Sequence, residues 1–333
     1  MTKDSVLELL QQHSDSFISG SELARTLSIS RAAVWKSIEQ LRQDGYIIDS
    51  GTNRGYRLSS ESDVISEEGV RRFLKNKALT CRVYRSVSST NTVLKEMAEE
   101  GAPEGLCLIA GEQTAGRGRL GRSFYSPPAS GLYMSLLLRP SLRAADATGI
   151  TACAAVAVAE ALESLAPVQA EIKWVNDVLV NGRKVCGILT EASLDCESGF
   201  VHYMVVGIGI NTRLPETDLP EELKGIAGSA FGDESIPELR CRLAAAVLDR
   251  LTGYYDHLLE KDWFEEYRRR SLVVGKPINI LAAGRPPEPA TALDIDRDFA
   301  LIVRTETGEL RRLNSGEVSI RQRYNQKQIN QER

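Results

Sequence analysis

GEQTAGRGRLGRSFYS, residues Gly111–Ser126, is the stretch on which the reading of the chain turns. Arg117, Arg119 and Arg122 are interleaved with Gly116, Gly118 and Gly121. Glycine lets a backbone reach positive φ and come close to a ligand. Each arginine adds a permanent cation whose planar fork of donors matches carboxylate or phosphate. Such a loop is built to meet an anion. The spelling G-x-G-x-x-G also occurs in dinucleotide-binding folds, but there a helix must begin inside the motif to hold the pyrophosphate. Here the motif runs into Ser126-Pro127-Pro128, where no helix starts cleanly. That reading is set aside.

Working outward, Leu106–Ala110 is an apolar strand leading into the loop and Leu132–Leu138 a strand leaving it. Arg82–Val87 alternates as a strand and stops at Ser88-Ser89-Thr90-Asn91, with a helix from Thr92 to Glu100 closed by Gly101. Hydroxyls, an amide and free helix N-terminal amides collect at that junction, although a plain helix cap explains them equally well. Ala144–Leu165 reads as a buried helix. After Glu171–Asp177 (EIKWVND), a hairpin turns through Asn181-Gly182 and returns over Lys184–Glu191. Phe200–Ile210 is a further strand, ending Gly207-Ile208-Gly209-Ile210-Asn211. Strands with helices set apart define an α+β body with a mixed or antiparallel sheet. Thr212–Phe231 reads as a surface excursion. Residues 236–269 read as a helical pair whose Arg268-Arg269-Arg270 run is a solvated helix end.

The two ends of the chain are different in kind. Val6, Leu7, Leu9 and Leu10 mark one helix, and a second starts near Ser21. A third is capped by Ser30, with Val34, Ile38 and Leu41 on its inner face and Gly45 at its end. Helix, short turn and helix followed by YIIDSGTNRGYRL, a hairpin around Gly51-Thr52-Asn53, make a winged helix-turn-helix. Ser30, Arg31, Ala32, Trp35 and Lys36 on the third helix, with Arg54 and Arg57 on the wing, are the expected DNA contacts. A protein-interaction role is the alternative, because acidic and basic residues balance there. At the other end, four short strands between 278 and 313 read as a small SH3-like β-barrel. The expected domains are 1–66, 67–270 and 271–323, with a polar tail at 324–333.

Bulk properties narrow the function. A net charge of −4 over 333 residues excludes a globally basic nucleic-acid coat. Six cysteines without a C-x-x-C pair fit reduced thiols. Three scattered histidines form no H-E-x-x-H. No secretory h-region and no run of 18 apolar residues occurs, which leads to an expectation of a soluble cytoplasmic protein without a membrane partner.

No Ser-His-Asp, Cys-His or paired-carboxylate arrangement stands out. The inventory is cations (Arg117, Arg119, Arg122, Lys173, Lys184), amides (Asn91, Gln113, Asn176) and Asp177. It suits a reaction in which the substrate is its own nucleophile: a carboxylate attacks the α-phosphate of ATP and pyrophosphate leaves. Catalysis is then positioning and neutralisation of phosphoryl charge. Magnesium ordinarily shares that charge through one or two protein oxygens, for which Asp177 and Asn176 are candidates.

Ser89-Thr90-Asn91, the Gln113–Arg122 loop, Lys173-Trp174 with Asn176-Asp177, Gly182-Arg183-Lys184 and Gly207–Asn211 follow one another at characteristic spacing. In this the chain resembles the biotin protein ligases and, with its winged helix, those that double as biotin operon repressors. The resemblance covers essentially the whole chain. It implies that Ser89, Thr90, Asn91 and Gln113 line a biotin pocket and that Arg117, Gly118 and Arg119 fold over biotin and its adenylate. Lys184 would contact the biotin carboxylate and α-phosphate as the principal catalytic group, aided by Arg117 and Arg119. Arg119, Arg122, Phe124, Lys173, Asn176, Asp177 and Asn211 would attend the nucleotide. Part of 212–231 would order over the adenine. The implied partners are ATP, Mg2+, the biotin carboxyl carrier protein of acetyl-CoA carboxylase or a similar carboxylase, operator DNA, and a second copy of the chain once adenylate is bound. Two positions depart from the family pattern: Val175 replaces the proline of K-W-P-N-D, and Phe124 replaces a tryptophan. The competing readings are a lipoate-type ligase, which the winged helix and G-R-G-R-L-G-R weaken, and a non-enzymatic ligand-sensing repressor.

Overall fold

The computed structural model describes residues 2–320 apart from 14–15, 52–53, 60–61, 145, 196, 216–218, 233, 282–284 and 315. The expected tail and the two wing-turn residues Thr52 and Asn53 lie outside these. Contacts divide the chain into two compact units, Met1–Lys77 with Phe231–Ala246, and Ala78–Ala230 with Val247–Arg333.

In the first unit, serines start the helices. After α1 (Thr2–Gln12), Ser19 caps α2 (Gly20–Thr26) by accepting from the Glu22 amide, and Ser30 caps α3 (Arg31–Gln43) by accepting from Ala33. Each satisfies an amide that has no partner within the helix. Val6, Leu10, Leu23, Val34, Ile38 and Leu41 form the core, closed by Ile48 and Leu58 of the wing. The wing strands β1 (Ile48–Gly51) and β2 (Gly55–Leu58) are antiparallel. Tyr56 exchanges both backbone hydrogen bonds with Ile18, at 2.9 Å each. Gly55 makes that approach possible: its φ is +101°, and a Cβ there would come within 2.1 Å of the Ile18 oxygen. The unit runs past the expected boundary at residue 66. Ser66 caps α4 (Glu67–Phe73), Arg240 bonds Asp63, and Glu238 pairs with Arg72 and accepts from Gln11 Nε2 at 2.8 Å.

The second unit holds a seven-stranded mixed sheet. In chain order its strands and helices are β3 (Thr80–Tyr84), α5 (Thr90–Glu99), β4 (Leu106–Ala110), β5 (Gly131–Leu138), α6 (Ile150–Leu165), β6 (Ala170–Lys173), β7 (Asp177–Val180), β8 (Arg183–Leu194), β9 (Val201–Asn211), α7 (Leu239–Tyr255) and α8 (Phe264–Arg269). The first half of α7 belongs to the other unit. The spatial order is β3-β4-β5-β9-β8-β7-β6, with β3 and β4 parallel and the other neighbours antiparallel. Leu94 and Ala98 of α5 pack on Leu108, Leu137 and Val205. On the opposite face lies α6, buried over most of Ile150–Leu162, with Thr151 donating to Thr190 at 2.8 Å. The β7–β8 turn has positive φ at both Asn181 (+52°) and Gly182 (+72°), which matches the twist of a two-residue hairpin.

The remaining strands, β10 (Pro277–Leu281), β11 (Glu288–Ile295), β12 (Leu301–Thr305), β13 (Leu310–Leu313) and β14 (Glu317–Ile320), form the antiparallel SH3-like element in the order β13-β12-β11-β10-β14. The last of them was not expected. Its EVSI sequence is too short and mixed to stand out.

Three other expectations need correction. The strand expected at 82–87 is Thr80–Tyr84, because its partner β4 ends at Ala110. The following helix starts at Thr90, so Thr90 and Asn91 lie in its first turn. The arginine run is not a solvated end throughout. Arg268 pairs with Asp294 and Arg269 with Glu266, but Arg270 is buried. Its guanidinium reaches Glu163 at 2.6 and 2.7 Å, Glu266 at 2.7 Å and the Ala170 carbonyl at 3.1 Å, joining α8, α6 and the start of β6. Hydrogen bonding to Arg270 holds the Glu163 carboxyl below its ordinary value. A lowered folded-state value gives stability that is present above the unfolded pKa, about 4.3, and is lost as pH falls through the folded one. Arg270→Met should therefore lower urea-unfolding stability at pH 7 by about 3 kcal/mol, with the deficit shrinking below pH 4 (roughly the glutamate range).

Candidate active site

Alternation along the strands puts Gly207 and Gly209 of β9 on one face. The register sets Gly187, Leu189 and Glu191 of β8 beside them, and Tyr133 and Ser135 of β5 on the other side. A Cβ at Gly209 would lie 2.5 Å from the Phe124 ring, one at Gly187 3.1 Å from it, and one at Gly207 2.1 Å from Asn91 Oδ1. The glycines thus clear a floor onto which Phe124 and Asn91 descend. Phe124 also meets Tyr133 edge-on, with ring centroids 6.5 Å apart.

Over one end of the floor stands the N-terminus of α5, where Ser89, Thr90 and Asn91 are all buried. Gln113 Oε1 accepts from the Thr90 amide (2.8 Å) and hydroxyl (3.1 Å), while its Nε2 donates to Ser126 at 2.9 Å. Ser135 Oγ lies 2.7 Å from both Thr90 Oγ1 and Asn91 Oδ1. Asn91 Nδ2 donates to the Leu189 carbonyl (3.1 Å) and to Glu191 (3.0 Å). Burial alone would push the Glu191 carboxyl up. Hydrogen bonds from Asn91 and Lys95 and the charges of Lys95 and Arg117 outweigh that, and it lies below the ordinary glutamate value.

Cations occupy the other side. The arginine loop is a tight turn: Gly118 N donates to the Arg122 carbonyl at 2.7 Å, and Leu120 (+56°) and Gly121 (+75°) both have positive φ. Arg117 reaches Glu191 at 3.1 Å, Arg119 reaches Asn176 Oδ1 at 2.9 Å, and Arg122 reaches Glu317 of β14 at 2.7 Å. Asn176 is itself fixed by donating to the Ile188 carbonyl at 3.0 Å. Lys184 Nζ lies 2.7 Å from Asp177 Oδ1, and its backbone pairs with Ile226 and Gly228. The Trp174–Val175 peptide between these groups is cis.

The glycine floor, the α5 N-terminus and the cations surround one cavity of about 970 Å³, with Glu191, Ser135, Tyr133 and Lys95 standing behind its lining. Every residue expected in the biotin or nucleotide site lines it: Ser89, Thr90, Asn91, Gln113, Arg117, Gly118, Arg119, Arg122, Phe124, Lys173, Asn176, Asp177, Lys184 and Asn211. The 212–231 stretch is a wall rather than a surface excursion, contributing Arg213, Leu214, Leu219 and Ile226. Sequence reasoning missed Glu191, Ser135, Ser126 and Lys95. The first was within reach, since Glu191 shares strand parity with Gly187, whereas the placing of Ser135 opposite Gly207 depends on the sheet register. Among the described residues no group of three or more His, Cys, Asp or Glu side chains could hold a metal, and the Asp177 carboxylate is engaged by Lys184. An all-protein magnesium cage is therefore absent among the described residues.

The winged helix offers a separate surface in its own unit. Arg31, Ala32 and Lys36 are exposed on α3, and Trp35 is 60% exposed. The two wing arginines differ. Both lie over the Phe17 ring, 4.4 and 4.9 Å from its centroid, but only Arg57 is half-buried and bonded to Asp49, at 2.8 Å.

A cavity of cations and amides on an α+β sheet, in a chain that begins with a winged helix, defines a ligase-type site that handles anions. Family models agree. Residues 83–211 match the biotin/lipoate A/B protein ligase family, 2–57 a helix-turn-helix domain and 273–321 the biotin protein ligase C-terminal domain. The bifunctional ligase/repressor BirA of Bacillus subtilis is 42% identical over 96% of this chain and 98% of its own length. That of Escherichia coli is 28% identical over 92% and 93%. The Aquifex aeolicus biotin protein ligase in complex with biotin and ATP is 28% identical, with a TM-score of 0.60 over 73% of this chain and 98% of its own. The chain belongs to the biotin protein ligase family. No helix among the described residues is long and apolar enough to cross a membrane.

The floor makes a clear prediction. Gly207→Ala would force the fully bonded Asn91 amide from its place and should destabilise the protein by about 2 kcal/mol. Gly209→Ala meets only the Phe124 ring and should lower the urea midpoint less.

Proposed function

We propose that the chain is a two-step ligase for biotin that also represses transcription. In the first step an oxygen of the biotin carboxylate attacks the α-phosphorus of ATP, forming biotinyl-5′-AMP and releasing pyrophosphate. In the second, the ε-amine of a lysine on a biotin carboxyl carrier protein attacks the acyl carbon and AMP leaves. The observation that carries this reading is a 970 Å³ cavity ringed by Arg117, Arg119, Lys173 and Lys184, with no histidine in its lining to activate a serine or cysteine. Its size suits a nucleotide-sized ligand. Its groups neutralise charge and position reactants, and the acid itself supplies the nucleophile.

Lys184 has the central role. Its ammonium is a compact charge on a flexible stem, able to follow charge from carboxylate to α-phosphate, with Asp177 holding it in place. Arg119, braced by Asn176, faces the phosphates. Magnesium enters with ATP as part of the substrate, and Asp177 is one oxygen that could reach it, in keeping with the ion's habit of retaining water. The arginine loop closes over the mixed anhydride and limits hydrolysis. Lys184→Ala should slow biotin-dependent pyrophosphate release by about 10²–10³-fold; a rate near that of the parent would remove Lys184 from this role.

The repressor half rests on the exposed face of α3. Adenylate binding would favour a homodimer that sets two winged helices on a palindromic operator in the cytoplasm. Arg31→Ala, Lys36→Ala and Arg54→Ala should each weaken DNA binding and flatten the salt dependence by about one phosphate contact, with ligation unchanged. Arg57→Ala should flatten it less, because Asp49 already takes up its guanidinium. DNA binding indifferent to biotin and ATP would break the link between the two activities.

A further inference from the structure

Glu191 takes no part in the chemistry described above, yet three side chains, two from α5 and one from the arginine loop, converge on it. It projects from β8 onto the glycine floor, with its side chain 18% exposed. One carboxylate oxygen accepts from Lys95 Nζ at 3.0 Å and Arg117 NH1 at 3.1 Å. The other accepts from Asn91 Nδ2 at 3.0 Å and from the same arginine nitrogen at 3.2 Å. Asn91 thereby has its polar atoms fully used: the amide nitrogen on Glu191 and Leu189, the oxygen on Ser135. Gly207 leaves room beneath Asn91 Oδ1 for that one placement. Turning the amide over would leave buried donors and acceptors unmatched.

We infer that Glu191 is a positioning residue that ties the pocket wall to the loop. It fixes the Asn91 amide at the N-terminus of α5 and seats Arg117 across from it, so that wall and loop are held by one carboxylate. This rests on the ligase reading above and assigns Glu191 to one end of the site. Asn91 and Arg117 flank the polar pocket of Ser89 and Thr90. The nucleotide-facing groups Lys184, Asp177, Arg119 and Asn176 bond to one another and to β8 backbone, without using Glu191. Loss of Glu191 should therefore weaken the biotin side of the site while sparing the ATP side. A purely structural carboxylate would affect both ends together.

Glu191→Gln keeps the shape and an acceptor while removing the charge. In the full-length protein, the KM for biotin in pyrophosphate release should rise about tenfold, the loss expected for a hydrogen bond to a charged partner. The KM for ATP should stay within about twofold, and the thermal midpoint within a few degrees (about 1 kcal/mol or less). Arg117→Gln should raise the KM for biotin as well. The double variant should be no worse than the more impaired single one, because both changes remove the same link. Fold-changes that multiply, or a KM for ATP that climbs alongside that for biotin, would overturn the assignment. A parent protein unable to form the biotin adenylate would refute the ligase reading and this inference with it. A parent that forms it, with variants that behave independently, would refute the inference alone.

Discussion

The strict two-residue period of a β-strand is the constraint on which the site depends. Gly187, Gly207 and Gly209 share one face because each has the right parity and the register sets 187 against 209. Were β9 to slip by one residue, Ile208 and Ile210 would fill the floor, leaving no space for Asn91 or Phe124. The opposite face gives that register its energy. Val206, Ile208 and Ile210 are buried there, and slippage would expose all three, at about 1.5–3 kcal/mol for each side chain. A packing preference behind the sheet thus holds open the cavity in front of it.

Onto this rigid floor the chain brings polar groups from irregular or terminal backbone. Asn91 comes from a helix start, Arg117–Arg122 from a turn with consecutive residues at positive φ, and Lys184 from the first residues after a hairpin turn. The helix start and the turn leave backbone amides free of a regular ladder, while Lys184 is fixed within one, paired with Leu179 and with the 226–228 segment. Binding groups on loops over a rigid scaffold are the common solution for that reason.

What the sequence disclosed follows the same division. Elements with a strong period, such as Leu106–Ala110, the Asn181-Gly182 hairpin and the Ser30-capped helix, were legible with correct type and near-correct ends, because local chemistry decides them. The fourteen residues expected in the site, picked out by spacing and family resemblance together, all line the one cavity. Three things were hidden, each decided by residues distant in sequence. Arg270 looks like part of a solvated cluster until Glu163, on another helix, is brought against it. Residues 231–246 join the N-terminal unit through Asp63 and Arg72, which periodicity does not report. Glu191 is one acidic residue in an ordinary strand until Asn91 and Lys95 of α5 and Arg117 of the loop are brought against it.

The pairing of the site's charges bears on its selectivity. Lys184 is matched by Asp177, Arg117 by Glu191 and Arg122 by Glu317. At these three cations an incoming anion must compete with a carboxylate already in contact, whereas Arg119 is held by the neutral Asn176 amide. A weak or misplaced anion gains little from that exchange, since bringing it out of water costs more than a partial contact returns. A ligand that carries carboxylate and phosphate at the right separation can engage Lys184 and the arginines together, recovering several contacts for one loss of translational freedom. In the mechanism proposed above, the advantage would grow as charge moves from carboxylate to phosphate, because Lys184 could strengthen one contact as it relaxes the other. Interactions that improve along the reaction coordinate are the ones that raise a rate, and paired cations reserve their full strength for that stage.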